Sequence, residues 1–168
     1  MTRLAVIAVC SVLGAAVTGG ASSSSALTRC RASQLRLSGR LHGATQSLLG
    51  TLTVANATDH ACALPVRPSR VALVIGPQLL PALTVRMSAS ASPPGSPTRR
   101  LSARGRVFVG IQWRNWCGAP RGNVRLRLGL TVWSSETRRP SVGIVRTPQC
   151  VDNKYSSRVA VSRFMTSR

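Results

Sequence analysis

The chain has 168 residues, of which 43% are hydrophobic, and its 23 Lys+Arg against 3 Asp+Glu give a formal net charge of +20. This length fits one domain, and the apolar fraction is typical of a globular protein. The only acids are Asp59, Glu136 and Asp152, which argues against carboxylate-pair glycosidases, carboxylate-rich metal sites and most acid–base catalysis. We therefore expect no enzyme.

The N-terminus has the three parts of a secretory signal peptide. Arg3 precedes an apolar stretch at residues 4–17, and small residues follow it as far as Ala26. Cleavage after Ala26 is the preferred prediction, and cleavage after Ala21 is the alternative. The apolar stretch is shorter than the ~20 residues of a spanning helix, and no cysteine lies in a lipobox. The mature protein is thus predicted to be secreted, with neither a lipid anchor nor a transmembrane helix.

An even number of cysteines remains after the signal peptide. They are Cys30, Cys62, Cys117 and Cys150. In an exported chain such a set predicts structural disulfides, and four cysteines allow three pairings. No Cys-x-x-Cys motif is present, and only His60 lies close to a cysteine in the sequence, so no metal site is expected.

After residue 27 apolar and polar residues alternate with a period of two, which is typical of strands with one buried face. In the clearest case, 123–133, the Val and Leu residues from Val124 to Val132 share one face. The predicted strands are 34–37, 48–55, 71–75, 83–86, 106–113, 123–133, 141–146 and 158–164. Short strands separated by Gly, Pro and Asn turns predict an all-β fold, an antiparallel sandwich of about seven or eight strands.

Residues 88–100 interrupt this pattern, because they combine serines with three prolines and have no apolar period. They predict a mobile Ser/Pro-rich loop within a single β-sandwich domain at 27–168. A domain boundary at this segment is the alternative. It would leave two halves of about 60–70 residues, which are small for a sandwich core.

The most specific motif is Gln-Trp-Arg-Asn-Trp-Cys at 112–117, and other matching segments are 53–56, 62–64 and the closing strand that ends at Phe164. On these residues the chain resembles an actinobacterial domain of unknown function (the DUF four-two-three-two type), which is common in lipoproteins and secreted proteins. The match extends from Cys30 to about Phe164. Loop geometry and membrane attachment are the points at which this chain departs from the family.

The resemblance implies an immunoglobulin-like β-sandwich stapled by two disulfides, with the pairs Cys30–Cys62 and Cys117–Cys150. It implies no activity, since the family has none assigned. The fold expectation is therefore more specific than the functional one.

Arginines and one tryptophan are the candidate contact residues. Arg125 and Arg127 project from the polar face of one predicted strand, and Arg138 and Arg139 lie in a loop. Guanidinium groups bind phosphate bidentately, so these four are candidate polyanion contacts. Trp133 lies on the opposite side from the Val/Leu stripe and is the candidate aromatic contact. A GC-rich genome would explain arginine in place of lysine, but not the shortage of acids.

Two further groups have plainer interpretations. Trp113 is expected to pack in the core and against a disulfide, with Trp116 in the turn that follows. Asp59 is adjacent to His60, and His42 is the only other histidine. Adjacent residues of an extended chain point apart, so a Ser-His-Asp site is not expected.

These observations lead to three functional hypotheses. The first is a secreted, non-enzymatic binding or interaction domain of the bacterial cell envelope, without catalytic residues or a cofactor. The second is an electrostatic binder of anionic polymers such as teichoic acid, anionic lipid or nucleic acid, although the sequence has no dedicated nucleic-acid motif. The third and least favoured is a hydrolase that uses Asp59, His60 or His42. The expected partners are anionic envelope polymers or another envelope protein.

Overall fold

The structure, a computed structural model, describes residues 27–166, and β-strands dominate it. The strands are β1 (Leu35–Ala44), β2 (Ser47–Asn56), β3 (Cys62–Ala63), β4 (Arg70–Ile75), β5 (Gln78–Leu80), β6 (Leu83–Arg86), β7 (Ser96–Pro97), β8 (Arg100–Leu101), β9 (Arg106–Arg114), β10 (Asn123–Val132), β11 (Ser135–Glu136), β12 (Ser141–Arg146), β13 (Arg158–Val161) and β14 (Met165–Thr166). Short 3-10 turns span Ala32–Gln34 and Ala89–Ala91. The predicted signal peptide lies outside the described residues. Between residues 27 and 166, no helix is long and apolar enough to cross a membrane.

Two sheets form the sandwich. The first has the strand order β1-β2-β9-β13-β6, and β14 adds to it by pairing with both β9 and β7. The second has the order β11-β10-β4-β5, with β12 also paired to β10. A separate two-stranded ladder joins β3 to β8. The predicted all-β sandwich is confirmed, and each of the eight predicted strands corresponds to a strand of at least four residues.

The core lies between the two sheets because each central strand turns its apolar side chains inward. The inward residues of β10 are Val124, Leu126, Leu128, Leu130 and Val132, and those of β9 are Val107, Val109, Ile111 and Trp113. All of them belong to one buried hydrophobic cluster. Burying each such side chain stabilises the fold by about 1.5–3 kcal/mol. This packing fixes which residues of β9 and β10 face outward.

β1 continues to Ala44, well beyond the predicted end at residue 37, because all ten of its residues pair with β2. Two glycines allow the close approach of the two strands. A Cβ on Gly39 would lie 2.5 Å from the carbonyl oxygen of Thr51, and one on Gly50 would lie 2.2 Å from that of Arg40. Strand pairing therefore extends β1 through a segment that lacks an apolar period.

One pairing is parallel, since β6 runs in the same direction as β13. β13 also ends at Val161, three residues before the predicted end. The next residue, Ser162, accepts a hydrogen bond from the Gly110 N–H on its hydroxyl (2.8 Å) and donates its own N–H to the Gly110 carbonyl (3.0 Å). The side chain thus replaces a ladder hydrogen bond, and pairing resumes at β14.

Residues 88–100 contain the second 3-10 turn and the short strand β7, which pairs with β14. Gly95 has a φ of +135°. A Cβ at this position would lie 2.1 Å from the Thr166 carbonyl oxygen, so the close approach requires glycine. The mobility of this loop stays a prediction.

Two disulfides join Cys30 to Cys62 and Cys117 to Cys150, which confirms the pairing implied by the resemblance. They lie at opposite ends of the first sheet. Cys30 precedes β1 at the end where Leu35 pairs with Asn56, whereas Cys117 follows β9 at the end where Arg114 pairs with Ser47. We call these the Cys30 end and the Cys117 end.

Candidate anion-binding site

Arg125 and Arg127 are exposed on the outer side of β10, where the alternation of the strand places them. Arg125 pairs in register with the exposed Ile144 of β12. The Arg127 guanidinium donates a hydrogen bond to the Gly76 carbonyl in the turn between β4 and β5. Of these two candidate contacts, Arg127 is therefore already engaged in an intramolecular hydrogen bond.

Arg138 and Arg139 are both exposed, and Arg139 has an intramolecular partner. Its Nε and Nη2 atoms donate to the two carboxylate oxygens of Glu136, at 2.5 Å and 3.0 Å. The hydrogen bond from Arg139 holds the pKa of the Glu136 carboxyl below its ordinary value, against the opposing effect of partial burial, and the contact raises the pKa of Arg139. The charge of Arg139 is thus compensated, unlike that of most other arginines.

Trp133 lies one residue beyond the end of β10, in a left-handed conformation with a φ of +58°. Its indole N–H donates to the Ala63 carbonyl (3.1 Å), and its ring packs against the core. The guanidinium carbon of Arg29 lies 4.5 Å from the ring centroid, a cation–π contact. Trp133 is half-buried, and its role as a ligand contact stays a prediction.

The tryptophans of the motif at 112–117 are buried. The indole N–H of Trp113 donates to the Ser157 hydroxyl (2.8 Å), and that of Trp116 donates to the Pro120 carbonyl (2.9 Å). Their ring centroids are 5.8 Å apart with the planes tilted by 53°, a favourable aromatic geometry. Both side chains therefore support the fold and the loops around the Cys117 end.

Asn115, between these tryptophans, organises the loop that follows Cys150. Its side-chain amide donates to the carbonyls of Asp152 (2.9 Å) and Tyr155 (2.7 Å), and its oxygen accepts from the N–H groups of Val151 (2.9 Å) and Asp152 (3.2 Å). Its φ of +54° is one that asparagine tolerates better than most residues. One side chain thus fixes the path of residues 151–155.

Two clefts open beside this loop, on either side of the turn at residues 45–46. The first, which we call the Arg114 cleft, has a volume of about 710 Å³, and its lining includes Gln46, Arg114, Asn115, Asp152, Tyr155 and Arg158. The second, the Arg121 cleft, has a volume of about 670 Å³, and its lining includes Gln46, Trp116, Arg121, Arg146, Thr147 and Cys150. Each cleft is lined by two arginines of its own.

Arg114 and Arg158 are directly opposite each other in the antiparallel pairing of β9 and β13. The neighbouring pair, Trp113 and Val159, is buried, so the two arginines emerge together on the outer face. Like charges directly opposite in a sheet are destabilising. Neither guanidinium pairs with a carboxylate within residues 27–166. This end of the sheet therefore holds two uncompensated positive charges in a cleft.

The Arg121 cleft differs because one of its arginines braces the backbone. The Arg121 guanidinium donates to the carbonyls of Cys117 (2.9 Å) and Gly118 (3.3 Å).

Outside the two clefts, partial burial lowers the pKa of Arg67, and the charges of Arg86 and Arg163 lower it further. Arginines without a carboxylate partner are thus common on the surface of the described residues, but in the Arg114 cleft two of them lie in a cavity of defined shape.

The expectation that the side chains of Asp59 and His60 point apart is wrong. Their side chains are in contact, with Oδ1 of Asp59 3.1 Å from Nε2 of His60. The chain is not extended here, because the Asn56 side chain holds residues 56–60 in a turn through hydrogen bonds to Thr58 and the His60 carbonyl. Both side chains of the pair are highly exposed (86% for His60 and 74% for Asp59), and they lie at the Cys30 end, away from both clefts.

Sequence reasoning missed Arg114, Arg158, Tyr155 and the clefts. The motif at 112–117 already contained Arg114, and alternation after Trp113 would have placed it outward. Its pairing with Arg158 depends on strand register, which no local pattern reveals. The described residues contain no group of three His, Cys, Asp or Glu side chains that could hold a metal ion.

No family model matches the sequence, and no curated protein or solved structure is significantly similar to it. The family resemblance based on residues 112–117 therefore stays a prediction.

Proposed function

We propose that this protein is a secreted, non-enzymatic binding domain of the bacterial cell envelope, and that it binds anionic polymers. The observation that carries the proposal is the charge on the surface. Residues 27–166 include 20 of the 22 arginines, and all of these except Arg67 are exposed. Within the same residues a single arginine, Arg139, forms an ion pair with a carboxylate.

A polymer fits this distribution better than a single small anion. Exposed arginines occur on both sheets, for example Arg125 on the second and Arg158 on the first. A chain of phosphate groups that contacts several of them releases one set of counterions at each contact, and successive contacts reinforce one another. The expected binding is multivalent and strongly dependent on salt.

Two further features support an envelope location. Both disulfides belong to the class of bond that persists in oxidising compartments and is rare in a reducing cytosol. The predicted signal peptide supplies the route out of the cell. Membership of the actinobacterial family resembled at residues 112–117 is part of the same proposal.

The test is a salt series with the oxidised, purified protein and immobilised long-chain polyphosphate, with neutral dextran as the control polymer. We expect retention on polyphosphate alone, and release as NaCl rises from about 50 mM to 200 mM, a range over which six phosphate contacts lose about a thousandfold in affinity. Single-stranded DNA and phosphatidylglycerol vesicles, run in parallel, establish which source of phosphate is preferred.

Two results would contradict the proposal. Absence of retention on every anionic surface at low salt would show that the charge binds no polymer. Retention that does not change with salt would show a shaped, largely uncharged contact instead, and would favour another envelope protein as the partner.

A further inference from the structure

We propose that the Arg114 cleft is a phosphate-binding subsite in which the guanidinium groups of Arg114 and Arg158 together hold one phosphate group. This inference rests on the proposed function, because it identifies where a phosphate of the polymer would bind. It also names the ligand class more narrowly: a phosphate group, rather than any anion.

Arg114 and Arg158 form a cross-strand pair of like charge. The register of β9 and β13 places Arg114 and Arg158 opposite each other, and both are exposed on the same face of the first sheet. The repulsion between them is a cost to the folded state that an anion between the two groups would remove. Two guanidinium groups match the charge and the oxygen geometry of a phosphate, whereas a carboxylate needs only one.

Hydrogen bonds within the protein fix the walls of the cleft before any ligand binds. Asn115 holds the loop at residues 151–155 through four hydrogen bonds to backbone groups. Ser157, next to Arg158, accepts the buried indole N–H of Trp113. A site whose supporting side chains are already bonded loses little freedom on binding.

The Arg114 cleft also contains an acid and a tyrosine. Asp152 is the only acid among the described residues that line it. It is half-buried, its Oδ1 accepts the backbone N–H of Lys154 (2.8 Å), and it forms no ion pair with Arg114 or Arg158. Tyr155 is 62% exposed at the rim, which leaves its side chain accessible to a bound ligand.

Other arginine pairs are weaker candidates. In the Arg121 cleft, Arg121 is bound to two backbone carbonyls. On the second sheet, Arg127 is bound to the Gly76 carbonyl, and Arg139 is neutralised by Glu136. Arg114 and Arg158 combine direct opposition, exposure and a preformed cleft.

The experiment titrates inorganic tripolyphosphate into the oxidised full-length protein by calorimetry, and compares the wild type with R114Q/R158Q. The matched control is R40Q/R106Q, which removes the same charge from exposed positions of the first sheet outside the lining of the Arg114 cleft. We expect the affinity of R114Q/R158Q to fall about tenfold to hundredfold and that of the control to fall less than about threefold, since loss of bidentate pairs exceeds loss of long-range attraction.

Melting temperatures show whether a loss of affinity comes from loss of the site or from loss of the fold. Because the substitutions remove a repulsion, R114Q/R158Q should melt at the wild-type temperature or above it in phosphate-free buffer. Tripolyphosphate should raise the melting temperature of the wild type and of R40Q/R106Q, but not that of R114Q/R158Q. A fall in the melting temperature without ligand would overturn the claim that the pair repels.

The outcomes separate the subsite from the proposed function. If polyphosphate binds wild type and R114Q/R158Q equally, the subsite is wrong and the polymer proposal stands. If tripolyphosphate binds through the arginine pair but no anionic polymer is retained, the subsite stands and the polymer proposal is wrong. If acetate competes as well as inorganic phosphate at equal concentration, the assignment to phosphate is wrong.

Discussion

The Cys30 end and the Cys117 end of the sandwich use the same components. Each has one disulfide, with sequence separations of 32 and 33 residues. Each also has an asparagine whose side chain binds several backbone groups of the adjacent loop: Asn56 at one end and Asn115 at the other. The two ends nevertheless differ in burial and in what surrounds the bridge.

At the Cys30 end both cysteines are buried and belong to the core cluster, and Asn56 is only 3% exposed. At the Cys117 end both cysteines are half-buried, and Cys150 lines the Arg121 cleft. The same covalent and hydrogen-bonding components therefore close the core at one end and shape an open surface at the other. Binding and stability should accordingly respond differently to changes at the two ends.

The largest effect should come from removing each disulfide in turn, as C30A/C62A and C117A/C150A. For loops of this length each loss should lower the free energy of unfolding by about 3–4 kcal/mol. C30A/C62A should lose more, because it also leaves a cavity in the core. Only C117A/C150A should weaken tripolyphosphate binding. Urea unfolding and calorimetry measure both quantities, and equal losses of affinity would refute a functional difference between the ends.

The two asparagines give a second comparison. N56A should lower the free energy of unfolding by about 2–3 kcal/mol, because it removes a buried side chain and leaves partly buried backbone groups without partners. N115A should cost less stability, since its loop is more exposed, but it should reduce tripolyphosphate affinity about tenfold by releasing residues 151–155. Thermal melts and calorimetric titrations test the pair. Loss of affinity in N56A of the same size as in N115A would contradict the comparison.

A smaller effect is expected for Ser157, which connects the core to the Arg114 cleft. S157A removes the acceptor of the buried Trp113 indole N–H and should cost about 1–3 kcal/mol. The control is the same substitution in a W113F background, where it should cost much less. Urea unfolding of the four proteins gives the interaction energy. A value near zero would show that the hydrogen bond between Trp113 and Ser157 contributes nothing.

The smallest effect concerns Glu136 in the second sheet. Since its folded pKa is depressed, its ion pair with Arg139 stabilises the protein above the unfolded pKa and is lost as pH falls through the folded pKa. For an exposed pair, E136Q should cost less than about 1 kcal/mol at pH 7, and this cost should be lost as the pH falls through the depressed pKa of Glu136. The variant should also need more salt for release from polyphosphate, because Arg139 becomes available. Melting curves against pH and salt elution measure these shifts.

Much of the fold could be predicted from the sequence because it depends on local alternation. The stripe from Val124 to Val132 is buried as the period of two predicts. The period of two does not predict the structure where a strand has ended or where a strand has no apolar period. β10 ends at Val132, and the left-handed conformation of Trp133 directs the indole to the Ala63 carbonyl. Likewise the second half of β1 has no apolar period, and only its pairing with β2 makes it a strand.

The candidate site was much less predictable, because its components are distant in sequence. Arg114 and Arg158 become neighbours through the register of two strands. Asn115 shapes the cleft through backbone groups, which every residue possesses and which leave no trace in composition. The four arginines proposed from the sequence lie on or near β10, where alternation could identify exposure but not mutual position.

The position of β13 makes the first sheet and the Arg114 cleft depend on the same short segment. It is almost the last strand in the sequence, yet it lies between β9 and β6 within the first sheet. Without residues 158–166, β6 has no partner strand, one side of β9 is unpaired, and Arg114 has no arginine opposite it. The same strand thus completes the sheet and the cleft, and a chain cut by a protease before residue 158 lacks both.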